Sequence, residues 1–158
     1  MAMPDAAPSG RFESRWGPTS MGIDPQVAAG IGYLSIPIAG PIVPLIFVIG
    51  EKRNRFLRFH AAQALLLCIL PFAALAVLVI LSVAVGAVAY ALGVPAQTNV
   101  FGTGLVVAGV VFALLQVFAI ICWVWGLVAA FGGRPTRFPL IGGWSERLAG
   151  GSVEIAIA

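Results

Sequence analysis

Three polar side chains stand out in an otherwise apolar sequence, and they are the first candidates for chemistry. His60 is the only histidine, and Gln63 follows three residues later in the string FLRFHAAQALLL. On a helix, residues three apart lie on one face. A histidine at this position is able to ligate a metal or a chlorin, or to carry a proton. More often, a lone histidine at the membrane interface only forms a hydrogen bond with a carbonyl group or a lipid headgroup.

Gln116, the third of these side chains, lies near the middle of the last long apolar run. A primary amide is costly in hydrocarbon unless a neighbouring helix supplies a hydrogen bond, so we expect this side chain to face inward. It then either forms an interhelical hydrogen bond that fixes the register of the helices, or contacts a substrate or an ion.

The sequence shows no set of residues suited to catalysis. No serine, cysteine or lysine nucleophile has a neighbouring base, and no glycine-rich loop precedes a phosphate-binding lysine. No second histidine and no carboxylate lies in an apolar run beside His60, so a zinc site is not expected. We therefore predict a protein that is not an enzyme, has no metal and no cofactor, and does not bind nucleic acid.

The composition places these residues in a membrane. Hydrophobic residues make up 60% of the chain and charged residues 9%, against roughly 25% charged residues in an average soluble domain. No Asp, Glu, Lys or Arg lies between Arg58 and Arg134, and that stretch has room for two spans of roughly 20 residues each. The apolar run over 27–50 is long enough for a third.

The elements that carry the candidate residues are therefore helices. We predict an all-α membrane protein with a three-transmembrane-helix bundle, a flexible N-terminal tail and an interfacial C-terminal tail. Asp24 and Pro25 are typical of a helix start, and Gly93 to Phe101 reads as a turn. The predicted ranges are 1–24 for the flexible tail, about 25–50, 59–92 and 102–131 for the three helices of a domain over 25–132, and 133–158 for the interfacial tail.

The first of these helices is expected to be broken. It contains three prolines, and each removes a backbone donor and pushes its ring against the preceding turn. Such a break is tolerated in a membrane where neighbouring helices or water satisfy the freed carbonyl groups. The segment then acts either as a kinked span or as a functional hinge; the residues concerned are Pro37, Pro41 and Pro44.

Basic residues flank the predicted spans unevenly. They lie in the connector 51–58 and after the third helix, whereas the loop 93–101 has none. Because Lys and Arg concentrate on the cytoplasmic side, we expect the connector and the C-terminus there and, with three spans, the N-terminus outside the cell membrane. The basic anchors are Lys52, Arg53, Arg55, Arg58, Arg134 and Arg137.

The order of features resembles the Tic-twenty family, which comprises the twenty-kilodalton subunit of the chloroplast inner-envelope protein translocon and related bacterial three-helix membrane proteins. The similarity covers about 31–140 and is carried by GPIVPLIFVIGEKRNR, FLRFHAAQALLL and FGGRPTRFPLIGGW. The resemblance implies a non-enzymatic component of a larger membrane assembly, acting in protein translocation or membrane-protein biogenesis. It also implies that the contact residues are Arg58, His60 and Gln63.

Two other functions stay open. The first is an accessory or structural subunit of a respiratory or photosynthetic complex, in which His60 contacts a chlorin pigment. The second is a small channel or carrier lined by Gln116 and the prolines of the first helix, which would have to form an oligomer to enclose a pore. In each case the expected partners are the lipid bilayer and other integral membrane proteins, in a homo- or hetero-oligomer.

Overall fold

The computed structural model describes residues 16–150, apart from the side chain of Gln97. Within this range all regular elements are helical, which confirms the all-α class. The predicted tail segments 1–15 and 151–158 lie outside the described residues. The helices are α1 (Pro25–Leu34), α2 (Ile36–Ala39), α3 (Ile42–Gly50), α4 (Arg55–Ala91), α5 (Val100–Phe131) and α6 (Gly142–Ala149), with a 3-10 turn at Ala96–Thr98.

Two helices, α4 and α5, are long and apolar enough to cross a membrane. Their lengths of 37 and 32 residues exceed the roughly 20 residues that a hydrocarbon core requires. Large apolar side chains project from both helices, and Ile80, Val106 and Val128 are each more than half exposed. A soluble fold would bury such a surface, so these helices are suited to span a membrane.

Small residues bring α4 and α5 close together. A side chain on Gly104 would come within 2.7 Å of the Ser82 hydroxyl oxygen, and one on Gly86 would come within 3.0 Å of Phe101. At the turn between the helices, Asn99 accepts a hydrogen bond from the backbone N–H of Gly102 at 3.2 Å and so caps α5. The uncharged hairpin predicted from the sequence is therefore present, with close packing of its two helices near the turn.

The first apolar segment forms three short helices instead of one long helix. α1 has 10 residues and α3 has 9, so each is about 15 Å long, half the thickness of the hydrocarbon core. Pro37 lies in α2, Pro41 precedes α3 and Pro44 lies in the first turn of α3. The prolines therefore break this segment, as their missing backbone donors predict.

The two ends of this segment meet at one end of the molecule. The backbone N–H of Ser20 donates to both carboxylate oxygens of Glu51, at 3.0 and 2.8 Å. Asn54 Nδ2 donates to the carbonyl of Trp16 at 2.9 Å. Between α2 and α3 the chain reverses at Gly40, whose φ of 58° favours glycine.

We call α1, α2 and α3 the re-entrant hairpin. α1 packs against α5 in the opposite direction, with Gln26 beside Gly133 and Tyr33 beside Gly126, and α3 returns along α4. The predicted count of three spanning helices is not confirmed, because two half-length helices joined by a reversal leave by the side on which they entered.

Two boundaries also differ from the prediction. α4 begins at Arg55 instead of near residue 59, because the Asn54 side chain accepts the backbone N–H of Leu57 at 3.0 Å and caps the helix. In the predicted interfacial tail over 133–158, residues Gly142–Ala149 form the helix α6. The glycines stand at its two ends: α6 starts at Gly142, and Gly150, with φ of 89°, terminates it.

Candidate functional site

A buried group of polar side chains joins the re-entrant hairpin to α4. We call it the polar junction; it consists of Tyr33 from α1 and of His60 and Gln63 from α4, and all three are fully buried. The spacing of three residues on α4 places His60 and Gln63 on one face, as the sequence predicted. That face meets Tyr33 on one side and the segment 132–141 on the other.

The hydrogen bonds of the polar junction run in a defined direction. The Tyr33 hydroxyl donates to Gln63 Oε1 at 3.1 Å, and Gln63 Nε2 donates to the carbonyl of Thr136 at 2.8 Å. His60 Nε2 lies 3.1 Å from the carbonyl of Arg134, which accepts only, so this nitrogen carries the proton. The other ring nitrogen, Nδ1, lies 3.4 Å from the Tyr33 hydroxyl. Both ring nitrogens therefore face groups of the protein.

Aromatic rings enclose the imidazole of His60. Its ring centroid lies 4.5 Å from that of Phe56, 5.5 Å from that of Phe59 and 5.9 Å from that of Tyr33. Trp16 stacks on the outer face of this group, 4.6 Å from Phe56. A pigment would have to displace these rings to reach His60, so the geometry does not favour a chlorin contact.

Arg58 also binds the C-terminal segment. Its Nη2 donates to the carbonyl of Leu148 in α6 at 2.9 Å. The three residues that the resemblance marked as partner contacts, Arg58, His60 and Gln63, therefore all hold the chain's own C-terminal segment in place. Their string FLRFHAAQ specifies internal packing in this protein.

Glu51 forms a second buried polar centre. It is fully buried, and its carboxylate accepts the backbone N–H groups of Ser20, Arg53 and Asn54 and the Ser20 hydroxyl, at 2.8 to 3.0 Å. Burial alone would raise the pKa of Glu51, but these hydrogen bonds stabilise the charged form and lower the pKa below its usual value of 4.5.

Sequence reasoning missed Glu51 and Tyr33. Glu51 is the only acidic residue between Asp24 and Glu146, and Tyr33 is the only tyrosine of the first apolar run. Isolated polar residues of this kind are a usable signal, because a buried polar group has to be hydrogen-bonded. The distant partners of their side chains are 30 and 31 positions away in the sequence and leave no local pattern.

The predicted basic anchors lie together at the end of the molecule where the re-entrant hairpin begins and ends. We call this part, formed by residues 51–55 and 132–150, the basic end. Arg137 pairs with Glu146 at 2.6 Å, and this is the one ion pair found within 16–150. The other exposed cations of the basic end are Lys52, Arg53, Arg55, Arg134 and Arg147.

Gln116 faces a cavity, in line with its expected inward orientation. The cavity has a volume of about 370 Å³, lies between α2, α4 and α5, and is also lined by Pro37. Pro44, by contrast, is fully buried in the hairpin. Of the prolines that the channel hypothesis names, Pro37 thus lines the cavity and Pro44 does not.

Metal ligands do not converge in the described range. Within residues 16–150, no three His, Cys, Asp or Glu side chains are close enough to hold a metal ion. Cys68 and Cys122 are free thiols within the spans.

Comparison with known families identifies the family of this chain, which the sequence motifs had suggested only by resemblance. The profile of the MamF/MmsF family, described as the magnetosome magnetite crystal formation protein family, matches residues 24–145. The chain belongs to this family. The match covers the whole helical part of the chain from the cap of α1 into α6. The expected membership of the Tic-twenty family is therefore wrong.

The reason for that error lies in what the motifs encode. FLRFHAAQA was the most specific string, and in this MamF/MmsF protein its polar residues clamp the C-terminal segment onto α4. Such a packing device carries no information on protein translocation. The translocation function rested on the resemblance alone and has no support.

Two further relatives are membrane proteins by name. Both are UPF0132 membrane proteins from Methanocaldococcus jannaschii: one is 26% identical over 81% of this chain and 72% of its own length, and the other is 28% identical over 83% of this chain and 94% of its own length. No solved structure matches. Together with the two apolar helices, these relatives establish the MamF/MmsF chain as a membrane protein.

Proposed function

We propose that this MamF/MmsF-family chain is a non-enzymatic scaffold of the cell membrane that presents a rigid basic surface on one side of the bilayer. It acts as a component of a larger membrane assembly. The observation that carries this proposal is the contact of Ser20 with Glu51, which joins both ends of the re-entrant hairpin at the basic end.

The topology proposed here has two spans. α4 leaves from the basic end and α5 returns to it, so the N-terminal flank, the connector 51–54 and the C-terminal segment share one side. By the distribution of Lys and Arg that side is cytoplasmic. The N-terminus, expected outside on the basis of three spans, is then inside, and the loop 92–99 faces the other compartment.

The rigidity of the basic end supports a scaffold. The polar junction and the Glu51 carboxylate connect the N-terminal flank, α1, α4 and the segment 132–141 through buried hydrogen bonds. Buried and satisfied networks specify one arrangement of the elements that they join. The exposed cations are thus held on a fixed base, which suits a docking surface for other membrane components.

For magnetite crystal formation, which the family description names, we propose a membrane-organising role for this chain. Support comes from the three carboxylates within 16–150, each of which is engaged. Asp24 caps α1, Glu51 accepts four hydrogen-bonding groups, and Glu146 pairs with Arg137. Iron ligation by these residues would cost the contacts that hold the basic end together.

Cysteine accessibility tests the topology. In a background of Cys68→Ala and Cys122→Ala, single cysteines replace Pro18, Lys52, Gly143 or Thr98, and intact cells and inverted vesicles are treated with a membrane-impermeant maleimide. We expect the first three positions to react only in inverted vesicles and Thr98→Cys only in cells. Reaction of Pro18→Cys from outside the cell, together with Thr98→Cys, would show three spans and reject the shared side.

A complementation assay tests the membrane-organising role. The chain is expressed in a magnetite-forming bacterium that lacks its own MamF/MmsF-family proteins, and crystal size is measured by electron microscopy. We expect the triple variant Lys52→Gln, Arg53→Gln, Arg55→Gln to lose the effect on crystal size. The pair Asp24→Asn, Glu146→Gln is expected to keep it. The opposite pattern would favour direct iron binding by the carboxylates.

A further inference from the structure

The cavity beside Gln116 lies where the re-entrant hairpin ends within the membrane. Its walls come from Ile36 and Pro37 of α2, from Leu67 and Phe72 of α4, and from Ala119 of α5. Because the hairpin covers only half the length of the spans, the cavity sits deep in the hydrocarbon region. Phe72 at one edge is 57% exposed, so the cavity opens sideways toward lipid.

Gln116 brings an amide into this apolar space. Within 16–150 its side chain forms no hydrogen bond, although a primary amide carries two donor hydrogens and an acceptor oxygen. In hydrocarbon no water is at hand to satisfy these groups, so an unpaired amide there is costly. The amide group of Gln116 at the cavity wall is therefore available to form hydrogen bonds with a ligand.

A second unpaired group belongs to Pro37. In a helix its carbonyl would accept from the residue four positions later, which is Pro41 and has no N–H. Gly40, the residue three positions later, donates to Ile36 at 3.0 Å instead. No hydrogen bond to the carbonyl of Pro37 is found in the described part of the chain.

The same backbone defect one turn earlier is repaired. Pro37 leaves the carbonyl of Tyr33 without its helical donor, and the indole Nε1 of Trp123 donates to that carbonyl at 2.8 Å. Trp123 also lines the cavity, but its single donor is thereby used. The carbonyl of Tyr33 thus has a side-chain donor within the chain, whereas the carbonyl of Pro37 has none in the described residues.

We propose that this cavity binds a membrane-dissolved lipid that carries a hydroxyl group. A hydroxyl donates one hydrogen bond and accepts others, so it complements the acceptor of Pro37 and the donors of Gln116 together. The apolar part of the ligand occupies a volume of about 370 Å³ among the hydrocarbon side chains, which is the usual character of a small-molecule site. Entry through the lateral opening selects ligands dissolved in the bilayer.

Photolabelling of the full chain in liposomes tests this site. The probes are a photoreactive, alkyne-tagged long-chain alcohol and a matched alkane probe without the hydroxyl. We expect the alcohol to label peptides containing Phe72 or Ile120 with about a tenfold preference over the alkane, which corresponds to about 1.4 kcal/mol. Equal labelling by the two probes would overturn the proposal, as would no labelling of these peptides.

Three variants separate the amide from the cavity shape. Gln116→Leu removes the amide without creating an unpaired group, so it is expected to fold and to lose part of the preference for the alcohol probe. The part that is due to the Pro37 carbonyl remains. Ala119→Phe fills the cavity and is expected to suppress both probes. Ala113→Phe, on the exposed face of α5, is the control and is expected to change neither. Full alcohol labelling of Gln116→Leu would reject the assigned hydrogen bond.

Discussion

Among single residues, Glu51 makes the densest set of contacts at the basic end. Its carboxylate accepts three backbone N–H groups and a hydroxyl, and it belongs to a buried side chain. Hydrogen bonds to a charged acceptor each contribute about 1.5–3 kcal/mol. Removing the charge of Glu51 is therefore expected to weaken the contact between the N-terminal flank and the connector between α3 and α4.

We expect Glu51→Gln to lower the free energy of unfolding by about 2–3 kcal/mol, because the new amide group faces donors that it cannot satisfy. Thermal unfolding in mild detergent, followed by circular dichroism, measures the change. Glu146→Gln is the matched control: its partner Arg137 has a side chain that is 61% exposed, so the loss is expected to stay below about 1 kcal/mol. Equal losses in the two variants would contradict the role given to Glu51.

The stability of the protein is expected to depend on pH through the same residue. The folded-state pKa of Glu51 is lowered from its usual value of 4.5, so its stabilising effect is complete above that value. It is lost as the pH falls through the folded-state pKa. At pH values below about 4.5, the melting temperature of the native chain should therefore decrease. This acid-dependent part should be absent in Glu51→Gln.

Tyr33 offers a test of the polar junction. Tyr33→Phe removes the hydroxyl that donates to Gln63 Oε1 and leaves a buried acceptor unpaired, at a cost of about 1–3 kcal/mol. We expect faster trypsin cleavage after Arg137, because the segment that contains this residue is held by the junction. Arg134 precedes Pro135 and is therefore not a trypsin site. The other tyrosine of the chain provides the control, since Tyr90 is 87% exposed. The Tyr90→Phe variant should be cleaved by trypsin at the same rate as the native chain.

Among the elements, the re-entrant hairpin departs most from a regular membrane helix. Its half-length helices need a chain reversal inside the membrane, and this reversal is made at Gly40. A positive φ costs any other L-residue about 1–2 kcal/mol. Around Gly40 the space is open, with no atom within 4 Å of an added side-chain carbon, so a substitution there tests conformation alone.

We expect Gly40→Ala to destabilise the protein by about 1–2 kcal/mol, measured by thermal unfolding in detergent. Gly109→Ala is the matched control: Gly109 lies within α5 and also has open space around it, but its backbone is helical. There alanine is expected to be neutral or to stabilise by up to about 1 kcal/mol. A stabilising Gly40→Ala would argue against the reversal.

For the whole molecule, the charged side chains are distributed asymmetrically between the two ends. All charged residues within 16–150 belong to the start of α1, to the basic end or, in the case of Arg58, to the first turn of α4, whereas the loop 92–99 has none. Exposed cations beside a bilayer attract anionic headgroups with about 1 kcal/mol per residue. The basic end is therefore expected to bind anionic lipids from the cytoplasmic leaflet.

We expect anionic lipid added to detergent micelles to raise the melting temperature of the native chain more than zwitterionic lipid does. High salt should abolish the difference, because it screens exposed charges. The triple variant Lys52→Gln, Arg53→Gln, Arg55→Gln should lose most of the gain. A gain that persists in the variant at low salt would place the lipid contact elsewhere.

Local chemistry made part of the site predictable. The spacing of His60 and Gln63 correctly placed them on one face, and the prolines correctly marked a broken segment. The partners of the two α4 residues were not predictable, because Tyr33, Arg134 and Thr136 are far away in the sequence. Arg134 and Thr136 moreover contribute backbone carbonyl groups, which every residue carries. The same string therefore suggested a contact with another protein instead of a contact within the chain.

The sequence by itself determined membrane residence, the uncharged two-helix hairpin and the break in the first apolar segment, since hydropathy and the missing N–H of proline act locally. Only the tertiary structure decided where that segment goes after the break. One kinked span and two half-length helices have the same composition. The choice depends on the reversal at Gly40 and on the hydrogen bonds between Ser20 and Glu51, which join residues on either side of the whole segment.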